Sequence, residues 1–116
     1  MVRPEKPARG EVWFTDFAPA RGHEQGGKRP CVIVSIDRFN QGPSGLAIVV
    51  PLTSKLKPVP SHVEVSAAES GLSQRSFVIC EQVRCLSQER LVRRLGRVSD
   101  SAMAEIEDWL RVFLGL

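Results

Sequence analysis

Apolar residues along this chain fall into two patterns, a series of short β-branched runs and, near the C-terminus, one helical stripe. PCVIVSI (Pro30 to Ile36) and LAIVVPL (Leu46 to Leu52) are continuous apolar runs. Runs of that length bounded by turn residues predict strands covered on both faces. Asn40, Gly42, Pro43 and Gly45 punctuate the gap between them, so the two strands are expected to be neighbours. EVWFTDF (Glu11 to Phe17) predicts an earlier strand, followed by a glycine-rich connection from Ala18 to Gly27. HVEV (His62 to Val65) alternates as a half-exposed strand does, after a basic, proline-interrupted loop from Lys55 to Pro60. SFVICEQV (Ser76 to Val83) predicts one more strand. From Arg84 to Val98 a short turn and the stretch LVRRLGRV are expected to close the sheet.

The last segment changes period. Met103, Ile106, Leu110 and Phe113 recur at intervals of three, four and three, which puts them on one face of a helix. Ser99 suits its N-cap, Asp100 the positive end of its dipole and Gly115 its stop. The expected architecture is mainly β with a C-terminal α-helix, one domain over residues 1–116 with 1–8 as a flexible tail, because 116 residues are too few for two stable cores.

Composition adds three constraints. Neither an apolar h-region at the start nor any stretch long enough to span a bilayer occurs, so a cytoplasmic protein is expected. Cys31, Cys80 and Cys85 form no CxxC pair and each lies in an apolar run, which predicts buried, reduced thiols and neither zinc nor disulfide. The net charge of +3 hides twelve arginines against four lysines. Arginine offers a planar fork matched to phosphate oxygens, so a phosphate-rich partner is indicated.

Four segments in series, RGEVWFTDF, GHEQGGKRP, VVPLTS and FVICEQVR, resemble in order and spacing the successive motifs of the MazF/PemK toxin family. The resemblance runs from about Arg9 to Leu116. It implies a small SH3-like β-barrel of the CcdB-like type, a homodimer, cleavage of single-stranded RNA, and a cognate antitoxin whose disordered tail covers the RNA groove. Residue by residue, it places the catalytic arginine on Arg29 and the catalytic hydroxyl on Thr53. Glu24 and Gln25 take the acidic and amide positions of the preceding loop, and Arg84 another position close to the groove.

Cutting RNA without a metal requires the 2'-hydroxyl to attack its own phosphate, leaving a 2',3'-cyclic phosphate and a 5'-hydroxyl. A base must take one proton, an acid supply another, and donors hold the extra negative charge. Arg29 can fork onto two non-bridging oxygens and pass a proton to the leaving 5'-oxygen, while Thr53 adds a hydroxyl donor. Its high pKa makes Arg29 a poor proton acceptor. Glu24 and His23 are the candidates for the base, Glu24 ranked first, and His62 reads as structural. Lys28, Ser54, Lys55, Lys57 and Gln82, with His23, Gln25 and Arg84, complete the expected RNA-binding set. The loops Ala18 to Lys28 and Ser54 to Ser61 are expected to set the RNA sequence recognised. Arg90, Arg93, Arg94 and Arg97 read as a solvated face. Trp13 and Phe14 should put one ring toward the core and one away, with packing rather than base stacking the expected fate of both.

Neither a carboxylate cluster for two metals nor a GKS/T or GxGxxG loop is present, so no cofactor or metal is expected. Two readings compete with the ribonuclease. The same barrel serves toxins that bind a protein target such as gyrase without chemistry, and a non-catalytic RNA-binding barrel also fits the basic balance. The arginine, hydroxyl and carboxylate set favours the enzyme.

Overall fold

The computed structural model describes residues 5–17, 21–22 and 24–116. Strand β1 (Glu11–Asp16) pairs antiparallel with β2 (Lys28–Ile33), and β2 with β3 (Leu46–Thr53). The register sets Val12 opposite Val32 and Val32 opposite Val50, a row that sinks into one core cluster. One residue along, Trp13, Cys31, Ile33 and Val49 enter a second cluster. The central strands are therefore apolar on both faces, which is why their sequences read as unbroken runs.

Beyond β3 the sheet turns a corner. The N-terminal half of β3 pairs through Leu46 to Val49 with β6 (Arg84–Ser87), and its C-terminal end through Leu52 and Thr53 with β5 (Ser76–Ile79). Val50 and Pro51 lie between the two ladders, so the missing N–H of Pro51 falls where the edge is already interrupted. Opposite this interruption, Cys80–Gln82 forms a 3-10 turn. The single strand expected from Ser76 to Val83 is thus two structures, a strand and a tight turn.

The sheet has seven strands in the order β4 (His62–Val65), β5, β3, β2, β1, β7 (Leu91–Arg97), with β6 beside β3. LVRRLGRV is a strand, but it does not close a hydrogen-bonded barrel: β4 and β7 are the two ends of the order, and no pairing joins them among the described residues. A short helix, α2 (Ala67–Ser70, after α1, Asp37–Asn40), fills the gap by packing its end onto β7. There a Cβ on Gly71 would stand 1.9 Å from the Leu95 carbonyl oxygen, and one on Gly96 2.5 Å from the Ser70 carbonyl carbon and oxygen. Two glycines let backbone meet backbone, so closure is by packing.

Helix α3 (Asp100–Leu114) follows the expected caps: Ser99 Oγ accepts from the Ala102 N–H at 3.1 Å, and Gly115 ends it at φ 71°. Ile106 is fully buried, with Met103 and Leu110 packed beside it. Phe113, expected on the same face, is 45% exposed and stacks on Trp109 instead, ring centres 6.0 Å apart. α3 lies against β4 and the 3-10 turn, and its last turn is exposed.

One further expectation needs correction. Cys85 is exposed, because it points away from the clusters on β6, whereas Cys31 and Cys80 are buried. Of the expected tail, residues 1–4 lie outside the described residues, while Glu5 pairs with Arg94 and the Ala8 N–H donates to Glu11 Oε1 at 2.7 Å.

Candidate active site

Side chains of β2 at positions 29, 31 and 33 share one face, and so do those of β3 at 49, 51 and 53. Cys31, Ile33 and Val49 bury that face, and it continues past the core into Arg29 and Thr53. The pairing of Cys31 with Pro51, continued two residues, brings Arg29 level with Thr53. Both line a cleft of about 290 Å³, together with Gln25, Lys55, Lys57, His62, Glu81 and Gln82.

Each of the two central groups is oriented. Arg29 Nε donates to the Gly26 carbonyl at 2.9 Å, which holds the guanidinium against the loop and directs its two terminal nitrogens elsewhere. Thr53 Oγ1 accepts from the Lys55 N–H at 3.2 Å, so its own proton is directed to another acceptor. The loop is pinned across the cleft, where the Gln25 N–H donates to Gln82 Oε1 at 2.7 Å.

The cleft continues in both directions. On one side Arg29, Thr53 and Lys55 also border a space of about 360 Å³ that Lys28, Ser54 and Phe14 complete. On the other, Gln25, Glu81 and Gln82 border one of about 460 Å³ with Glu24, Phe17 and Arg84. The Arg84 guanidinium lies over the Phe17 ring at 5.4 Å. Of the expected residues, Arg29, Thr53, Gln25, Lys55, Lys57 and Gln82 therefore share one cleft. Lys28 and Ser54 flank it, and Glu24 and Arg84 lie on its far side. Glu24 turns its carboxylate to its own loop, accepting from the Arg21 N–H at 3.0 Å. His23 and residues 18–20, part of the loop expected to set the RNA sequence, lie outside the described residues.

The arginines of β7 face outward in different ways. Arg94 bonds to Glu11 Oε2 at 2.9 Å, and Arg93 lies 5.2 Å over the half-buried Phe14 ring. Trp13 is buried, its Nε1 donating to Glu11 Oε1 at 3.1 Å.

The sequence did not single out Glu81. Its Oε1 accepts from Ser61 Oγ at 2.7 Å, and its Oε2 lies 2.9 Å from His62 Nε2. Burial pushes the Glu81 carboxyl up, but the bonds from Ser61, from its own backbone N–H and from His62 outweigh it, leaving its pKa below the usual carboxylate range. A glutamate inside the apolar run FVICEQV was the available signal. The assumption of a continuous strand hid it, since the 3-10 turn is what carries Glu81 and Gln82 into the same cleft.

Residues 8–114 match the family described as PemK-like, MazF-like toxin of type II toxin-antitoxin system. The chain belongs to this family. Endoribonuclease MazF9 of Mycobacterium tuberculosis is 41% identical to this toxin-family chain over 113 residues, 93% of this chain and 96% of that protein. The crystal structure of MazF from Deinococcus radiodurans superposes with a TM-score of 0.85 at 30% identity, covering 97% of this chain and 100% of that one. A MazE-MazF structure (Form-II) from the same organism gives a TM-score of 0.80 at 32% identity, covering 97% and 99%. An endoribonuclease in complex with its cognate antitoxin from a mycobacterial species gives 0.74 at 27%, covering 95% and 96%.

Proposed function

We propose that this protein cuts single-stranded RNA at a short sequence, without a metal, by attack of the 2'-hydroxyl on the neighbouring phosphate. Its place among endoribonuclease toxins rests on the family match and the 41% identical endoribonuclease. The observation that supports the chemistry is the level placement of Arg29 and Thr53 on adjacent strands at one cleft. The two terminal guanidinium nitrogens and the Thr53 hydroxyl then converge as donors on one phosphate. Among the described residues no group of three or more His, Cys, Asp or Glu side chains stands close enough to share a metal ion.

Lys55 and Lys57 in the cleft and Lys28 in the adjoining space, which Lys55 also borders, supply cations along the strand's path. The protein acts as a homodimer in the cytoplasm and is held inactive by a cognate antitoxin. MazE-MazF pairs and a toxin–antitoxin complex among its structural relatives support the antitoxin. No described helix is long and apolar enough to cross a membrane.

Incubation with a long defined RNA, with and without EDTA, tests the proposal. Discrete cuts bearing 5'-hydroxyl and 2',3'-cyclic phosphate ends are expected in both. Cutting abolished by EDTA, or continuing at a site whose 5'-side nucleotide lacks the 2'-hydroxyl, would overturn it.

A further inference from the structure

The cleft of Arg29 and Thr53 has a neighbour of different chemistry. Val12, Val32 and Val50 fill the first core cluster, and the same face of the sheet continues toward the strand ends as Phe14, Pro30 and Leu52. Leu72 also packs against that cluster, and these last four side chains line the space of about 360 Å³ beside the cleft. Arg29, Thr53 and Lys55 border both spaces, so they form the rim between them. Phe14, expected only to pack, is half-buried, and the Arg93 guanidinium lies over its ring at 5.2 Å. Gln74 is exposed at the edge of the same hollow, and its side-chain amide makes no hydrogen bond with any described residue.

We propose that this hollow is a base-reading subsite. With the scissile phosphate held at the rim by Arg29 and Thr53, the base of an adjoining nucleotide turns out of the strand, stacks on Phe14 and presents its edge to Gln74. The inference rests on the RNA cleavage proposed above and adds to it a place where sequence is read. A polyanion that carries flat rings matches a cationic rim over an apolar floor, whereas an apolar peptide segment matches only the floor. The Gln74 amide offers a donor and an acceptor side by side, which is what the edge of a base needs. Phe14 is held in β1 between β2 and β7, with Arg93 over its ring, so the platform is fixed before RNA arrives.

The experiment is single-turnover cleavage of an RNA oligonucleotide built around a cut site mapped in a long transcript, with an abasic ribose scanned through the positions on either side of the cut. The abasic unit keeps its 2'-hydroxyl, so the nucleophile is untouched wherever the unit is placed. Phe14→Leu keeps an apolar floor and removes the platform. It should slow cutting of the intact oligonucleotide by about tenfold, the order of one lost base–aromatic stack. At one position adjoining the cut, removing the base should then cost Phe14→Leu nothing further, while it slows the wild type. Gln74→Ala should flatten the preference among the four bases at that same position and leave the preferences elsewhere intact.

A weakened fold slows cutting of every oligonucleotide alike, so it cannot mimic a loss confined to one position. Variants whose abasic scan and base preference match the wild type at every position overturn the inference. That result is also the one expected if the hollow instead receives an apolar side chain of the antitoxin. A Phe14→Leu effect that is equal at all positions overturns it too, as does a Gln74→Ala change at a position other than the one Phe14→Leu marks. A wild-type protein that cuts no RNA overturns the underlying reading, and the inference falls with it. Failure of the inference alone shows only in the variants, against a wild type that cuts.

Discussion

Arg29 Nε is bonded to the carbonyl of Gly26 three residues earlier, at 2.9 Å. That bond restrains the plane of the guanidinium, so in the proposed reaction the two terminal nitrogens should meet a phosphate as a preformed fork. Arg29→Ala should lower the single-turnover rate by at least roughly a hundredfold, the order found for one preorganised donor to an anionic transition state. Arg29→Lys keeps a charge but loses both the fork and the Nε anchor, and should recover only a fraction. Thr53→Val keeps the shape and removes the donor, slowing the chemical step with little change in RNA affinity. An Arg29→Lys enzyme indistinguishable from wild type would contradict the bidentate role.

Lys55 and Lys57 are exposed on the loop leaving β3, one on each side of Leu56. If each neutralises one phosphate, Lys55→Ala and Lys57→Ala should weaken binding at every RNA sequence and reduce the slope of log K against log salt by about 0.7 per lysine on a single strand. Cut-site choice should not change. The measurement is a salt titration of affinity on a 2'-O-methyl RNA, and an unchanged slope would remove both lysines from the strand's path.

The thiols should separate cleanly. Burial pushes Cys31 up to about 12 against the opposing bonds from Thr15 and Trp13. Burial, reinforced by Glu81 and Glu105, pushes Cys80 up to about 12 as well. Neither offers thiolate at neutral pH. Cys85 is exposed and borders the space shared by Glu24 and Arg84. A maleimide should therefore label one thiol in the native protein and three in denaturant, with Cys85→Ser abolishing the native signal. Bound RNA should slow that labelling. Native labelling of Cys31 or Cys80 would show that the clusters open readily.

What could be read before the structure follows from range. Burial on both faces writes itself into PCVIVSI and LAIVVPL as unbroken apolar runs, and Ser99 and Gly115 mark the ends of α3 through bonds made within a few residues. Arg29 and Thr53 were reached through motif resemblance, and the register of β2 with β3 accounts for their meeting. The turn at Cys80–Gln82 exists because β3 changes partners opposite it, a long-range event with no local signature, so Glu81 was hidden. Phe113 satisfies the helical period yet stays exposed, because periodicity says which face a residue is on and not where the neighbouring elements end.

The meeting of α2 with β7 gives the last prediction, and three glycines separate its terms. Gly45 sits at φ 71° with open space where a Cβ would stand, so Gly45→Ala carries only the cost of a left-handed backbone. Gly96 has no positive φ, but its Cβ would stand 2.5 Å from Ser70 backbone, so Gly96→Ala carries only the clash. Gly71, at φ 74° and with a Cβ 1.9 Å from the Leu95 carbonyl oxygen, carries both. Each single term is worth about 1–3 kcal/mol, so in urea melts Gly71→Ala should be the least stable of the three. The contact joins the two ends of the sheet and leaves the pairing of β2 with β3 untouched. Gly96→Ala should therefore cut RNA at close to the wild-type rate at temperatures where it remains folded. If Gly96→Ala and Gly71→Ala melt like wild type, the sheet ends are not held by this approach. If Gly96→Ala is folded but inactive, closure reaches the Arg29 and Thr53 cleft after all.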